Sequence, residues 1–363
     1  MRSWLELDRE SLLHNLRGVK ALVGQSQIMA IIKVNAYGAG AVEVARTLAA
    51  DGVNAFGVGN VSEGVELRQA GIQGNILCLT YLMPDEIDAL FEYDLTPTVF
   101  TRDTARLLAE RARARNCRKP VWIKVDTGLG RIGIPFRIAP DFIRQVAQES
   151  HLEIEGLFST LTENPEHDPD QVRRLVGLRQ AMGLANVRLS IASSNGILSL
   201  RESYLDVVRP GIMLLGFEPS ERGRMDAALV RQADLRPIAA WKTRVGYVKT
   251  VPQGEQVGYG SRAPLAQDVQ VATLVIGWAD GYPPAMSDGG HVLIGGRRCP
   301  IIAVSANSTM ADVTNLPVSI GDEVVLLGKQ GSEEIAVAEM AKAAGGVYRL
   351  LAAIPRETPR VWS

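Results

Sequence analysis

Cysteine and histidine are scarce in this chain. Its 363 residues include three cysteines and four histidines. Cys78, Cys117 and Cys299 are odd in number and share no metal-ligand spacing, so reduced thiols in a cytoplasmic chain are expected. His14, His151, His167 and His291 are scattered, and no histidine cluster suggests a metal site. A surplus of either charge is also missing: 39 basic against 40 acidic side chains leave a formal net charge of -1. That balance supplies no general field for nucleic acid or an anionic membrane. No apolar run is long enough to span a bilayer. The opening MRSWLELDRE is too charged for the apolar segment of a secretion signal. No GxxxxGK[ST] run is present, which argues against a nucleotide P-loop.

What the chain does have is apolar patterning on two different periods. Its apolar share of 46% and charged share of 22% are those of a globular protein, and its length exceeds one ordinary domain. In the first two thirds, eight short apolar runs (IMAIIKV, NAFGV, NILCL, PTVF, PVWIKV, LEIEGLF, VRLSIA and LDVV) alternate with amphipathic stretches such as VEVARTLAA and RDTARLLAERARAR. Strands alternating with helices suit a parallel sheet buried on both faces. The count of eight favours a closed (β/α)8 barrel over a doubly wound open sheet. After about Met225 the texture becomes strand-like runs separated by Gly, Pro and Asp turns. The expected organisation is therefore an α/β chain: an N-terminal barrel over residues 8–225 and a mostly β domain over 226–363, with residues 1–7 as candidates to join the second.

A barrel of this kind carries its chemistry at the carboxyl ends of its strands. Lys33 closes IMAIIKV, Lys124 falls near the end of PVWIKV, and Arg209 follows LDVV. One such lysine is more often a surface or ion-pair residue, but three cations on one rim weaken that reading. A lysine delivered into a partly dry pocket can become an amine nucleophile or Schiff-base partner. Tyr37, four residues on, suits either a phosphate contact or a core position. KVDTGLGRIG places Arg131 to hold an anion. IASSNG after the seventh strand offers Ser194, and RPGI after the eighth offers the N–H groups of Gly211 and Ile212. Two such turns at the last strands make a plausible phosphate cradle. Farther on, VGYGSR sets Tyr259 between two glycines, either as an ordinary turn or as an acid–base phenol. Trp278 in GWADGYPP donates only and cannot serve as a base, so packing or a ligand-facing wall is its expected use.

Taken in order, WLELDRESLLHNLRGVK, IIKVNAYGAG, KVDTGLGRIG, DVVRPGIMLLG, VGYGSRAPL, VIGWADGYPP, MADVTNLP and PRVW resemble the alanine racemase family of fold-type III pyridoxal-phosphate enzymes over nearly the whole chain. The resemblance implies pyridoxal 5'-phosphate as cofactor and an amino-acid substrate. It also implies a homodimer whose active sites are shared between one subunit's barrel and the other's C-terminal domain, with neither nucleic acid nor membrane as partner. Lys33 looks like the lysine that binds the cofactor covalently and works one face of the α carbon, and Tyr259 like the tyrosine that works the other. Tyr37, Tyr348, Ser194, Gly211 and Ile212 resemble the phosphate contacts, and Arg209 the arginine facing the pyridine nitrogen. Arg131 matches the arginine near the phenolic oxygen and substrate carboxylate. Lys124 matches a lysine that many members carry as a carbamate. A protonated arginine does not readily give its proton to the ring nitrogen, which favours proton abstraction and return over transamination.

The departures from the family pattern lie around the pocket. Trp278 stands where the family usually has tyrosine, Ala306-Asn307-Ser308 where it has Met-Asp-Gln, and Ala39 and Thr160 where it has histidine. Tyr348-Arg349 stands in place of Tyr-Glu. Both acid–base residues are present, so the expectation is an amino-acid racemase working by two-base α-proton abstraction and reprotonation. Alanine is the default substrate, and serine or something larger becomes accessible if Trp278 and Ala306 line the pocket. The alternatives are a lyase (decarboxylase or aldolase) run mainly from the Lys33 face, and a pyridoxal-phosphate-binding protein with little catalysis.

Overall fold

The structure is a computed structural model that describes residues 1–219, 225–260 and 263–363. Two compact units emerge. One comprises Leu12–Ala36 and Ala41–Arg236; the other comprises Met1–Ser11, Tyr37–Gly40 and Pro237–Ser363.

The first unit is the (β/α)8 barrel. Its eight strands are Gln27–Ile28 with Ala30–Ile31, Ala55–Val58, Asn75–Cys78, Thr96–Val99, Lys119–Asp126, Leu152–Phe158, Arg188–Ser193 and Val207–Arg209. All pair in parallel with their neighbours. The first strand closes the ring, because Gln27 and Ile28 register with Val207 and Val208 while Ala30 and Ile31 register with Phe56 and Gly57. Ala55–Val58 and Thr96–Val99 are buried at every residue; the first is apolar throughout, and in the second the Thr98 hydroxyl donates to the Cys78 carbonyl at 2.6 Å and that of Thr96 to Asn75 Oδ1 at 3.0 Å. The helices between them are stopped and started by ordinary signals. Asn60 caps Val61–Gln69 by accepting from the Glu63 N–H, and Thr101 caps Arg102–Ala114 by accepting from the Thr104 N–H. Inside the ring Trp122 and Phe158 meet edge to face at 6.3 Å. Gly156 is required there, since a Cβ would fall 2.5 Å from the Trp122 ring.

The second unit is built on a nine-stranded sheet. Its long central strand, Ala239–Val251, pairs antiparallel with Ser3–Leu7, with Val269–Leu274 and with Glu323–Gln330. Arg360–Trp362 adds to Ser3–Leu7 in parallel. Trp241 and Tyr282, both fully buried, pack edge to face at 5.8 Å in its core. Two helices, Val337–Ala344 and Val347–Ala352, complete it. Among the described residues no helix is long and apolar enough to cross a membrane.

Candidate active site

The first barrel strand stops short of the expected IMAIIKV. It ends at Ile31, and from Lys33 the chain enters a left-handed turn. Val34, Asn35, Ala36 and Tyr37 have φ of 54°, 54°, 49° and 53°, a region that costs a non-glycine residue about 1–2 kcal/mol each. Hydrogen bonds offset that strain. The Val34 N–H donates to Glu63 Oε1 at 2.6 Å and the Gly59 N–H to Glu63 Oε2 at 2.7 Å. The Ala36 N–H donates to the Ile32 carbonyl at 2.8 Å, and the Ala41 N–H to Asn35 Oδ1 at 2.9 Å.

Lys33 belongs to a group of four cations at the carboxyl ends of the barrel strands. Lys124 is buried; its Nζ donates to Thr160 Oγ1 at 2.7 Å and lies 4.4 Å from the centre of the Phe158 ring. Arg209 is buried against the same ring at 5.1 Å. It donates to Ser190 Oγ at 2.5 Å and to the carbonyls of Ser159 and Ile191 at 2.6 and 3.4 Å. Arg131 is exposed on a loop folded by Asp126, whose Oδ1 accepts from the N–H groups of Gly128 and Gly130 at 3.0 and 3.1 Å.

Electrostatics follows from this crowding. Burial lowers the basicity of Lys33, Arg131 and Arg209 lower it further, and Glu63 opposes them. Lys124 is pushed well below the ordinary lysine range by burial and by Arg209, Arg131 and Lys33, against the pull of Asp126. Burial brings Arg209 down to about 10, which still leaves it charged near neutral pH. None of the ion pairs among the described residues includes any of the four. A cluster of cations whose hydrogen bonds go to neutral acceptors is a site for anionic groups.

The turns after the last two strands lie beside each other. Ser194 Oγ accepts from the Gly211 N–H at 2.9 Å and from the Met213 N–H at 3.4 Å, and Ser194 and Ile212 are both buried. A polar hub that the sequence reading missed holds the fifth and sixth strand ends. Gln171 Nε2 donates to Thr127 Oγ1 at 3.1 Å and to the Thr160 carbonyl at 3.0 Å, while its Oε1 accepts from the Thr162 N–H at 2.8 Å.

The remaining candidates lie in the β unit. The rings of Tyr37 and Tyr348 are 5.6 Å apart; Tyr37 is buried and Tyr348 40% exposed. The GWADG turn is laced to the Ser305–Ala306 segment: the Trp278 N–H donates to the Ser305 carbonyl at 3.0 Å and the Ala279 N–H to the Ala306 carbonyl at 2.8 Å. Gly277 permits this approach, since a Cβ would lie 2.2 Å from the Ser305 oxygen. Trp278 and Ala306 are thus held as neighbours, and Trp278 is 54% exposed. Tyr259 stands between Gly258 (φ 88°) and Gly260 (φ 84°) and is 87% exposed. Ser261 and Arg262, the end of VGYGSR, lie outside the described residues.

Comparison with known proteins decides the family. Residues 7–219 match the alanine racemase N-terminal domain and residues 238–362 the alanine racemase C-terminal domain. The chain belongs to the alanine racemase family. It is 38% identical to the alanine racemase of Halothermothrix orenii over 369 residues, covering 99% of this chain and 96% of that one. Over 371 residues it is 38% identical to that of Carboxydothermus hydrogenoformans, with 99% of both chains covered. Its structure is similar to the alanine racemase of Clostridium difficile 630, with a TM-score of 0.92 at 28% identity, covering 100% of this chain and 96% of that one.

The residues fit the family's cofactor. A pyridoxal phosphate carries its negative charge on a phosphate and a phenolic oxygen, and the barrel offers four cations without an ion pair among the described residues, beside the Ser194–Gly211 turns. Glu63 and Gln171, which hold this arrangement, left little trace in the sequence. Glu63 reads as an ordinary acidic residue in a first helical turn, and Gln171 as one polar residue of an amphipathic helix.

Proposed function

We propose that the chain racemises alanine with pyridoxal 5'-phosphate, with Lys33 and Tyr259 moving the α proton on opposite faces. The observation that supports it is the cluster of Lys33, Lys124, Arg131 and Arg209, without an ion pair among the described residues, in a chain of this family. Lys33 would hold the cofactor covalently. Ser194, Gly211, Ile212, Tyr37 and Tyr348 would meet its phosphate, Arg209 its ring nitrogen and Arg131 its phenolic oxygen. When bound, the cofactor withdraws electrons from the α carbon of an amino acid joined to it and so acidifies the α C–H.

The chain's own groups account for the rest. The lowered basicity of Lys33 lets its Nζ stand neutral at a lower pH than a free lysine and accept a proton. Arg131 is placed to take the substrate carboxylate as a charged hydrogen-bond donor. Arg209 keeps its charge and is held by bonds from Nη1 and Nη2 to Ser190, Ser159 and Ile191, so it acts as a fixed positive charge rather than a proton source. Tyr259 would deliver the proton of its own phenolic O–H to the opposite face, while Lys33 holds the one it took. Its 87% exposure fits a residue sheltered by a second copy of the chain, and a homodimer with shared sites belongs to the proposal.

A second reading of the substrate has its own observation. Trp278 and Ala306 are laced together by backbone hydrogen bonds, and an alanine in place of methionine leaves room beside an aromatic wall. This favours side chains longer than methyl, serine among them, alongside alanine.

The test is incubation of the reconstituted enzyme in deuterated water with a panel of L- and D-amino acids. α-Deuterium with inverted configuration, read by mass spectrometry and chiral chromatography, is the expected result and identifies the substrate. Deuterium with retained configuration would remove the two-face assignment. Loss of carbon would move the chain to the lyase class.

A further inference from the structure

Four consecutive left-handed residues without a glycine follow Lys33, and something must hold them there. The Glu63 carboxylate is the group that ties this turn to a neighbouring strand. One oxygen accepts from the Val34 N–H, the residue next to Lys33, and the other from the Gly59 N–H at the end of the second barrel strand. The fit is close: a Cβ at Gly59 would lie 3.2 Å from Glu63 Oε2 and 3.5 Å from Lys33 Cβ. Asn60 fixes the carboxylate's helix by accepting from the Glu63 N–H at 2.9 Å.

We propose that Glu63 is a positioning residue: its carboxylate locks the strained turn that aims Lys33 and supplies the negative charge that balances the cations around the lysine amine. The charged groups acting on Lys33 from the surrounding strands and loops are Arg131, Arg209 and Lys124, all positive, and Glu63 opposes them. Two acceptors are needed at once, which a carboxylate has and an amide lacks. In Glu63→Gln the amide NH2 group must face one of the two backbone N–H groups, and the charge is gone. In Glu63→Asp the charge remains but the reach is one methylene shorter. The pair therefore separates the tether from the field.

The experiment uses full-length protein stripped of cofactor, so that the Lys33 amine is free. Its modification by an amine-reactive anhydride is followed against pH by peptide mass spectrometry, with exposed lysines of the same digest as reference. Glu63→Gln is expected to shift the Lys33 midpoint to lower pH by about one unit, the size of losing one nearby opposite charge. Glu63→Asp is expected to leave the midpoint near the parent's. Both are expected to speed amide hydrogen exchange in the peptide covering residues 33–40. A midpoint unmoved in Glu63→Gln, relative to the reference lysines, overturns the proposal whatever the melting temperature does. Should Glu63→Gln fail to fold, Glu63→Asp decides: unchanged exchange at 33–40 overturns the tether. The inference rests on the reading that Lys33 carries the cofactor. Borohydride reduction of the holoenzyme checks that separately, since pyridoxyl label on another lysine would sink that reading and leave the Glu63 result intact.

Discussion

Lys124 Nζ and Thr160 Oγ1 lie 2.7 Å apart inside the barrel, on the ends of adjacent strands. The bond gives a buried amine a neutral acceptor, and the Thr160 carbonyl in turn accepts from Gln171. Lys124 is thus seated on a hydroxyl, with no ion pair among the described residues.

Replacing that acceptor tests its weight. Thr160→Val keeps the side-chain shape and leaves Lys124 Nζ unsatisfied, so it is expected to cost about 1–3 kcal/mol of stability. Thr160→Ser keeps the hydroxyl and is expected to cost clearly less. Chemical denaturation of the two variants beside the parent measures both, and a loss in Thr160→Ser with none in Thr160→Val would mean that packing of the methyl group, not the hydrogen bond, matters at this position.

Burial of Lys124, with the cations around it, sets a pH dependence. Lys124 is held well below 10.5 when folded and returns toward 10.5 on unfolding. Between those values the unfolded chain binds more protons, so this group's contribution to stability rises with pH across the window and is least favourable below it. Cys78, raised by burial to about 12, and the buried Tyr282 act in the opposite sense at alkaline pH. A difference measurement removes them. The stability of the parent minus that of Lys124→Met is expected to increase from neutral pH toward 10. A flat difference would show that Lys124 is not strained by its surroundings.

The Trp278–Ala306 neighbourhood carries a prediction on specificity. Ala306→Met should fill the space beside the indole and reduce kcat/KM for serine and longer substrates by about 10- to 200-fold, the range for a side chain that no longer fits a pocket. Alanine turnover should change only a few-fold. Chiral chromatography across the amino-acid panel reads both, and a parallel loss for alanine and the longer substrates would remove Ala306 from the determinants of substrate size.

How much of this was legible follows from the kind of interaction each residue makes. Strands buried on both faces are mostly apolar, so the eight barrel strands and the cations at their ends stand out in one dimension. The turn after Lys33 does not: in Val-Asn-Ala-Tyr only Asn adopts positive φ readily, and the strand ends three residues before the end of IMAIIKV. The stabilising partner lies 29 residues away, in Glu63. Gln171 likewise bonds Thr127, 44 residues earlier in the chain. Such pairings are products of barrel closure, and local pattern does not carry them. Trp278 and Ala306 were readable as departures from a family pattern, while their mutual backbone bonds were visible only in the fold.

Tyr259 gives the sharpest test of shared sites. Its side chain is 87% exposed, so Tyr259→Phe removes one hydroxyl at little expected cost in stability. As a general acid–base group it should be worth about a hundred- to ten-thousandfold in kcat/KM, and a loss of only a few-fold would end that assignment. Lys33→Ala should be inactive on its own account. If each site takes Lys33 from one subunit and Tyr259 from the other, mixing the two inactive variants restores one intact site in every heterodimer, about a quarter of parent activity after random exchange. If both residues came from a single chain, every site in the mixture would carry one defect and no activity would return. Recovery on mixing would establish both the dimer and the ownership of the second base.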